Sequence, residues 1–173
     1  MKANLVLTGF MGTGKSTVGP LAAARLGMRF VDMDPTIEAR LGMTVTEIFA
    51  ARGEAAFREM ETALCHELAQ ARGLVIATGG GALVNPVNRA LLGATGLVVC
   101  LTCAFETIMA RVGTATDRPL LAGDDRAARI RALLDARAPV YAALPAHVDT
   151  TGLTPDQVAE RVVALWRAQI CGG

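Results

Sequence analysis

Strands that alternate with helices along the chain predict a three-layer α/β/α fold built on a five-stranded parallel sheet. Short apolar runs at residues 5–7, 74–78 and 97–101 have the continuous hydrophobicity of strands covered on both faces. Segments of helical spacing lie between them. A glycine-rich turn, Gly9-Phe10-Met11-Gly12-Thr13-Gly14-Lys15-Ser16, joins the first strand to the first helix and fills the pattern G-x-x-x-x-G-K-[ST].

The elements follow in order. Residues 17–26 form the first helix, ending near Gly27. Residues 29–34 read as a second strand with Asp32 and Asp34 near its carboxyl end; two apart on a strand, they share a face. Residues 35–41 suit a short helix with Pro35 in its first turn and Gly42 after it. Thr44 and Glu47 have capping-box spacing. Between residues 54 and 72, Phe57, Met60, Leu64 and Leu68 recur at helical spacing up to Gly73. This block is more helical than a simple connection requires, and a substrate-binding subdomain is expected at about 33–61.

The third strand, 74–78, runs into Gly79, Gly80 and Gly81, and the fourth covers 97–101. Residues 105–112 continue as helix. Residues 113–125 are polar, short-sided and punctuated by Gly and Pro, which predicts a mobile lid. A helix over 126–144 contains Pro139, which should kink it or end it early. Residues 147–150 form the fifth strand. Thr154 and Gln157 cap the last helix, with Pro155 at its first position. There are no repeats, low-complexity segments or linkers, so the 173 residues are expected to form a single domain.

Composition narrows the function. Hydrophobic residues make up 52% of the chain, yet no apolar run of about 18 residues exists to cross a bilayer. The net charge of +1 gives no basic field for nucleic acid. Neither a membrane nor a nucleic-acid partner is expected. Lys2 leads directly into the first strand without an apolar signal core, from which a cytoplasmic location is expected. Cys65, Cys100, Cys103 and Cys171 show neither metal-site pairing nor a disulfide framework and read as small buried hydrophobes. The chain has fifteen arginines and only two lysines, one of them Lys15 in the glycine turn. A compact ammonium is useful there as a phosphate ligand.

In such a turn successive backbone N–H groups converge on phosphate oxygens at a helix N-terminus. That reading covers Gly12, Thr13, Gly14, Lys15, Ser16 and Thr17. Lys15 reaches the β- and γ-phosphates of ATP and the Ser16 hydroxyl meets Mg²⁺. Many P-loop enzymes draw a metal-supporting acid from a second strand end, but here the obvious strand ends in Thr78. Asp32 and Asp34 are the alternatives, one for the metal and one for an acceptor hydroxyl; equally they suit a helix cap and a solvated acid. Arg58 and Glu61, three apart, are either a surface ion pair or a working pair. Three consecutive glycines at 79–81 suit either a tight turn or an anion nest, and their entropic cost favours close approach of backbone to ligand. Arg118 lies in the expected lid, and Arg137 is either a carboxylate fork or a helix-terminal cation.

The ordered set of segments resembles the shikimate kinases. It comprises Gly9 through Thr17, Asp32-Met-Asp34, Ile48-Phe49 with Gly53-Glu54, Phe57-Arg58-Glu59-Met60-Glu61, Thr78-Gly-Gly-Gly-Ala82, Arg118-Pro-Leu-Leu121 and Arg137-Ala-Pro-Val-Tyr141. The resemblance implies a P-loop nucleoside-monophosphate-kinase-like fold and transfer of the γ-phosphoryl group of ATP to the 3-hydroxyl of shikimate, with Mg²⁺. It implies that Asp34 holds that hydroxyl, that Asp32 supports the metal beside Ser16, and that Lys15 and Arg118 act on the transferred group. Arg58, Arg137 and the backbone at Gly79, Gly80 and Gly81 hold shikimate, Glu61 orients Arg58, and Arg111 and the loop before Pro155 flank the adenine. A monomer is expected. The nearest rival is another small-molecule kinase such as a gluconate kinase. A catalytically silent nucleotide sensor is expected to lose Lys15, Asp34 or Arg118, and all three are present.

Overall fold

The computed structural model describes residues 3–112 and 125–171. Strands β1 (Asn4–Gly9), β2 (Arg29–Asp32), β3 (Leu74–Ala77), β4 (Gly96–Thr102) and β5 (Ala146–Asp149) form one parallel sheet in the order β2-β3-β1-β4-β5. The helices are α1 (Lys15–Leu26), α2 (Met33–Leu41), α3 (Val45–Leu68), α4 (Pro86–Gly93), α5 (Phe105–Val112), α6 (Arg126–Ala142) and α7 (Pro155–Cys171), with a 3-10 turn at Ala82–Val84.

Alternation along the strands assigns the two faces. Leu5, Leu7, Val75, Val99 and Leu101 pack with Val18 and Ala22 of α1 and Val162 and Trp166 of α7. Val6, Ile76, Val98 and Cys100 face the other way, onto Phe57, Leu64, Leu92 and Ile130 of α3, α4 and α6. All six residues of β1 are consequently buried. Each such fully buried aliphatic side chain contributes about 1.5–3 kcal/mol relative to an exposed one. At the amino end of β1 the Asn4 side chain donates to Ala71 O and accepts from Leu74 N, while its carbonyl accepts from Trp166 Nε1.

The carboxyl ends of the strands form one edge, because Asp32 and Leu7 both pair with Ala77, and Gly9 pairs with Leu101. The segments that leave β1, β2 and β3 therefore emerge together. This is the edge at which open α/β sheets bind ligands.

Several elements depart from the sequence reading. Strand β2 ends at Asp32, and Asp34 lies in the first turn of α2 rather than beside Asp32 on a strand. Pro35 is tolerated there because the first turn of a helix needs no intrahelical donor. Gly42 closes α2 at φ 64°, as expected. Thr44 and Glu47 form the expected capping box, and the Glu38 carboxylate adds a bond from Val45 N. The two expected helices of α3 are merged across a break at Gly53 (φ 81°, ψ 168°), and α3 ends at Leu68 rather than at Gly73. Pro139 does not end α6, which runs on to Ala142; in the last turn its missing N–H costs a single bond. Helix α4 was not foreseen, although Asn85 caps it by accepting from Val87 N and Pro86 opens it. Cys65 and Cys100 are buried and Cys103 is half-buried. Residues 113–124 of the expected lid, with Arg118, lie outside the described residues. No helix among the described residues is long and apolar enough to cross a membrane.

A Cβ on Gly96 would overlap the backbone of its partner Asn4, whereas one on Gly93 meets nothing within 4 Å. Gly96→Ala is expected to cost about 1–3 kcal/mol or more by overpacking. Gly93→Ala is expected to be neutral or to stabilise by up to about 1 kcal/mol. Urea unfolding of both variants beside the parent checks this; equal effects would contradict the close β1–β4 pairing.

Candidate active site

A cavity of about 620 Å³ runs along the carboxyl edge of the sheet. Its floor is the turn from β1 into α1. Gly12 and Gly14 hold φ at 78° and 96°, in the left-handed region that side chains disfavour. Gly9 is doubly constrained, since its φ is 131° and a Cβ would strike the Leu101 carbonyl of β4. Helix α1 opens with no side-chain cap and no acid in its first turn, so no carboxylate competes for its dipole and N–H groups. Lys15 is buried, and its Nζ donates to the carbonyls of Gly9 and Phe10 at 2.8 and 2.9 Å. Thr13 Oγ1 donates to the same Phe10 carbonyl at 2.7 Å. These contacts fix a point charge at the mouth of the turn, as a polyphosphate requires. Ser16 and Thr17 are exposed and line the cavity beside it.

At the end of β3 the Thr78 hydroxyl donates to Thr8 Oγ1 at 3.1 Å, a buried hydroxyl pair where an acid was sought. Asp32 lines the cavity from the end of β2. No group of three or more His, Cys, Asp or Glu suited to a metal occurs among the described residues. Mg²⁺ does not need one, since it keeps waters and takes phosphate oxygens alongside one or two protein oxygens. The Ser16 hydroxyl and the Asp32 carboxylate are donors of the right kind.

The other half of the cavity is charged on both signs. Asp34 and Glu38 come from α2, Phe57, Arg58 and Glu61 from α3, and Arg137 from α6. Arg58 Nη1 donates to Glu61 Oε2 at 2.6 Å, and the Glu61 side chain is 0% exposed. Its second oxygen has no hydrogen-bond partner among the described residues. Burial raises the Glu61 pKa; Arg58 opposes the rise and the Asp34 charge adds to it. On the outer side of Arg58, Glu54 Oε1 accepts from Nε at 3.2 Å and from Nη2 at 2.9 Å. Burial alone would lower the Arg58 pKa, but Glu61 and Glu54 together leave it raised. Arg137 is 7% exposed and lies over the Phe10 ring, 5.6 Å from its centroid. A turn further along α6, the Tyr141 hydroxyl donates to Gly80 O at 2.6 Å.

The three glycines after β3 sit where these groups meet the backbone. A Cβ on Gly79 would overlap carboxylate oxygens of both Glu61 and Asp34. One on Gly80 would lie 3.2 Å from Arg137 Nη1, and one on Gly81 2.9 Å from both terminal nitrogens of Arg58. None of the three has a positive φ. Glycine is needed here for close approach, not for an unusual turn. At the nucleotide end Arg111 Nη1 donates to Gly12 O at 2.9 Å, and Leu153 and Pro155 line the cavity.

The described sequence-predicted site residues thus line one cavity, Asp34 included despite its change of element. Arg118 lies outside the described residues. Sequence reasoning missed Glu54, whose signal is its spacing four residues before Arg58, and Tyr141, four residues after Arg137. Chemically, a polyphosphate cradle abuts a compartment in which two arginines, Arg58 and Arg137, and two carboxylates, Asp34 and Glu61, flank bare backbone. That suits phosphoryl transfer to a hydroxyl on an anionic acceptor.

A family model described as shikimate kinase matches residues 11–167. A shikimate kinase of Geobacter sulfurreducens is 46% identical over 95% of this chain and 91% of its own length. A solved shikimate kinase from Acinetobacter baumannii, in complex with shikimate, superposes with a TM-score of 0.91 at 36% identity, over 95% of this chain and 93% of that one. A gluconokinase from Sinorhizobium meliloti reaches a TM-score of 0.62 at 18% identity, over 98% of this chain and 94% of that one, a likeness of fold alone.

Burial, reinforced by the Glu61 charge, pushes the Cys65 thiol up to about 12. Burial pushes Cys100 up to about 11, with Lys15 opposing. Both are neutral thiols at pH 8 and are expected to react with a disulfide reagent only when the protein is unfolded. Peptide mapping after native and denatured labelling measures this; rapid native labelling of either would contradict their burial beneath the site.

Proposed function

The chain belongs to the shikimate kinase family, and we infer that it transfers the γ-phosphoryl group of ATP to the 3-hydroxyl of shikimate. The observation that carries this reading is the convergence of Arg58 and Arg137 on the glycines at 79–81, within a cavity continuous with the phosphate-binding turn. A planar carboxylate is matched by arginine forks, which fix orientation as well as adding energy.

In the proposed assignment residues 12–17 and Lys15 hold the ATP phosphates, and Arg111 and Pro155 flank the base. Asp34 orients the acceptor hydroxyl and receives its proton, while Glu61 holds Arg58 in place. Arg58, Arg137 and the backbone at Gly79, Gly80 and Gly81 hold shikimate. Ser16 and Asp32 are the residues that would hold Mg²⁺, whose chemistry is to neutralise charge on the phosphate oxygens. By family resemblance Arg118, outside the described residues, acts on the moving phosphoryl group. The polar, Gly- and Pro-punctuated composition of 113–125 supports a lid, the extra helical block supports a substrate-binding subdomain at 33–61, and a cytoplasmic monomer completes the proposal. Phosphoryl transfer asks the protein mainly for alignment and charge stabilisation, and this set of residues supplies both.

A coupled assay of ADP release with shikimate, gluconate or no acceptor tests the reading, with turnover expected for shikimate alone. Arg58→Ala and Arg137→Ala are each expected to raise the shikimate KM about 10–100-fold. Lys15→Ala is expected to abolish turnover while leaving shikimate affinity unchanged, and Asp34→Asn to lower kcat about 100-fold or more. Folded protein without shikimate-dependent turnover would refute the assignment, and normal turnover in Asp34→Asn would remove Asp34 from it.

A further inference from the structure

Arg58 has carboxylates on two of its edges, and they differ in their freedom to leave. Glu61 is fully buried and bonded at 2.6 Å. Glu54 is 51% exposed and pairs across one turn of α3, with a single oxygen serving both Nε and Nη2. A half-exposed pair at this spacing is weakly held.

The edge matters as much as the exposure. Nε with Nη2 is an edge from which a guanidinium donates two parallel bonds to a carboxylate. On the opposite side Nη1 is committed to Glu61, and Gly81 lies against both terminal nitrogens. Glu54 therefore occupies the edge at which an incoming carboxylate can exchange with an existing partner. It also has somewhere to go. Its side chain is half open to solvent, and Gly53, with φ 81° and ψ 168°, breaks α3 immediately before it. Glu54 thus opens a fresh helical stretch, facing solvent, where a carboxylate is favoured by the helix N-terminus. Glu54 and Glu61 set two carboxylates against the one guanidinium of Arg58, and the other cation of the compartment, Arg137, acts on Glu61.

We propose that Glu54 is a placeholder counter-ion: it holds the Nε–Nη2 edge of Arg58 until the acceptor carboxylate displaces it, and so sets acceptor affinity. The inference rests on the shikimate kinase reading. Glu54 is a positioning residue, acting only through Arg58.

Calorimetric titration of shikimate and steady-state kinetics of the parent, Glu54→Gln and Glu54→Ala test it, with thermal unfolding as a control for folding. Displacement predicts that both variants bind shikimate about two- to fivefold more tightly, with KM falling in parallel and kcat within about twofold, the scale of one weak pair. If Glu54 instead served to hold Arg58 in place, Glu54→Ala would raise KM and Glu54→Gln, which keeps an acceptor oxygen, would restore it. That result, or unchanged affinity in both variants, overturns the proposal. Failure of the underlying reading looks different: the parent enzyme would show no shikimate-dependent turnover.

Discussion

At the carboxyl ends of β1 and β3 the backbone runs so close to charged groups and to the neighbouring strand that a single methyl group would not fit. Gly9 is pressed on Leu101, Gly79 on Glu61 and Asp34, and Gly81 on Arg58. Register enforces the crowding, because Leu7 pairs with Ala77 and Gly9 with Leu101, which brings both chain exits to one edge. A phosphate cradle and an acceptor compartment can therefore share one cavity. A side chain at Gly9 would strike the Leu101 backbone, and one at Gly79 or Gly81 would have to displace the charged groups packed against it.

The electrostatics follow from that crowding. A buried ion pair is a poor source of stability, since desolvation cancels much of the attraction. Glu61 is wholly buried and keeps an oxygen without a partner, so the Arg58–Glu61 pair is better explained by what it holds in place than by what it adds to folding. The same holds for Lys15, secured by two carbonyls at the mouth of the phosphate turn. Charges fixed in advance cost no reorganisation when the phosphoryl group moves.

Much of this was legible in the sequence where the signal is contiguous or periodic. The phosphate turn is one unbroken motif, and the spacing of Phe57, Met60, Leu64 and Leu68 follows the buried side of α3. Where the sequence left two readings, burial separated them. Arg58 and Glu61 have the spacing of a surface pair, and only the fold reveals that Glu61 is out of water. Arg29 to Asp32 continues without a break in pattern into Met33, which extends a strand reading to Asp34, yet Met33 is buried as the first residue of a helix. Helix α4 is hard to read from the sequence because its Asn85 cap follows directly on the 3-10 turn after the glycines. Glu54 has the spacing of an ordinary surface pair with Arg58, which does not by itself set it apart from any other exposed helix acid.

On the proposed assignment Arg58 and Arg137, reaching the adjacent glycines Gly81 and Gly80 from α3 and α6, make this nucleotide-binding fold select an acceptor that bears a carboxylate. The most direct measurement compares kcat/KM for shikimate and for its uncharged methyl ester in the parent enzyme and in the Arg58→Ala/Arg137→Ala double variant. A preference for the acid of about 100-fold or more is expected in the parent, falling to within about threefold in the double variant. A preference that survives loss of both arginines would place carboxylate recognition elsewhere.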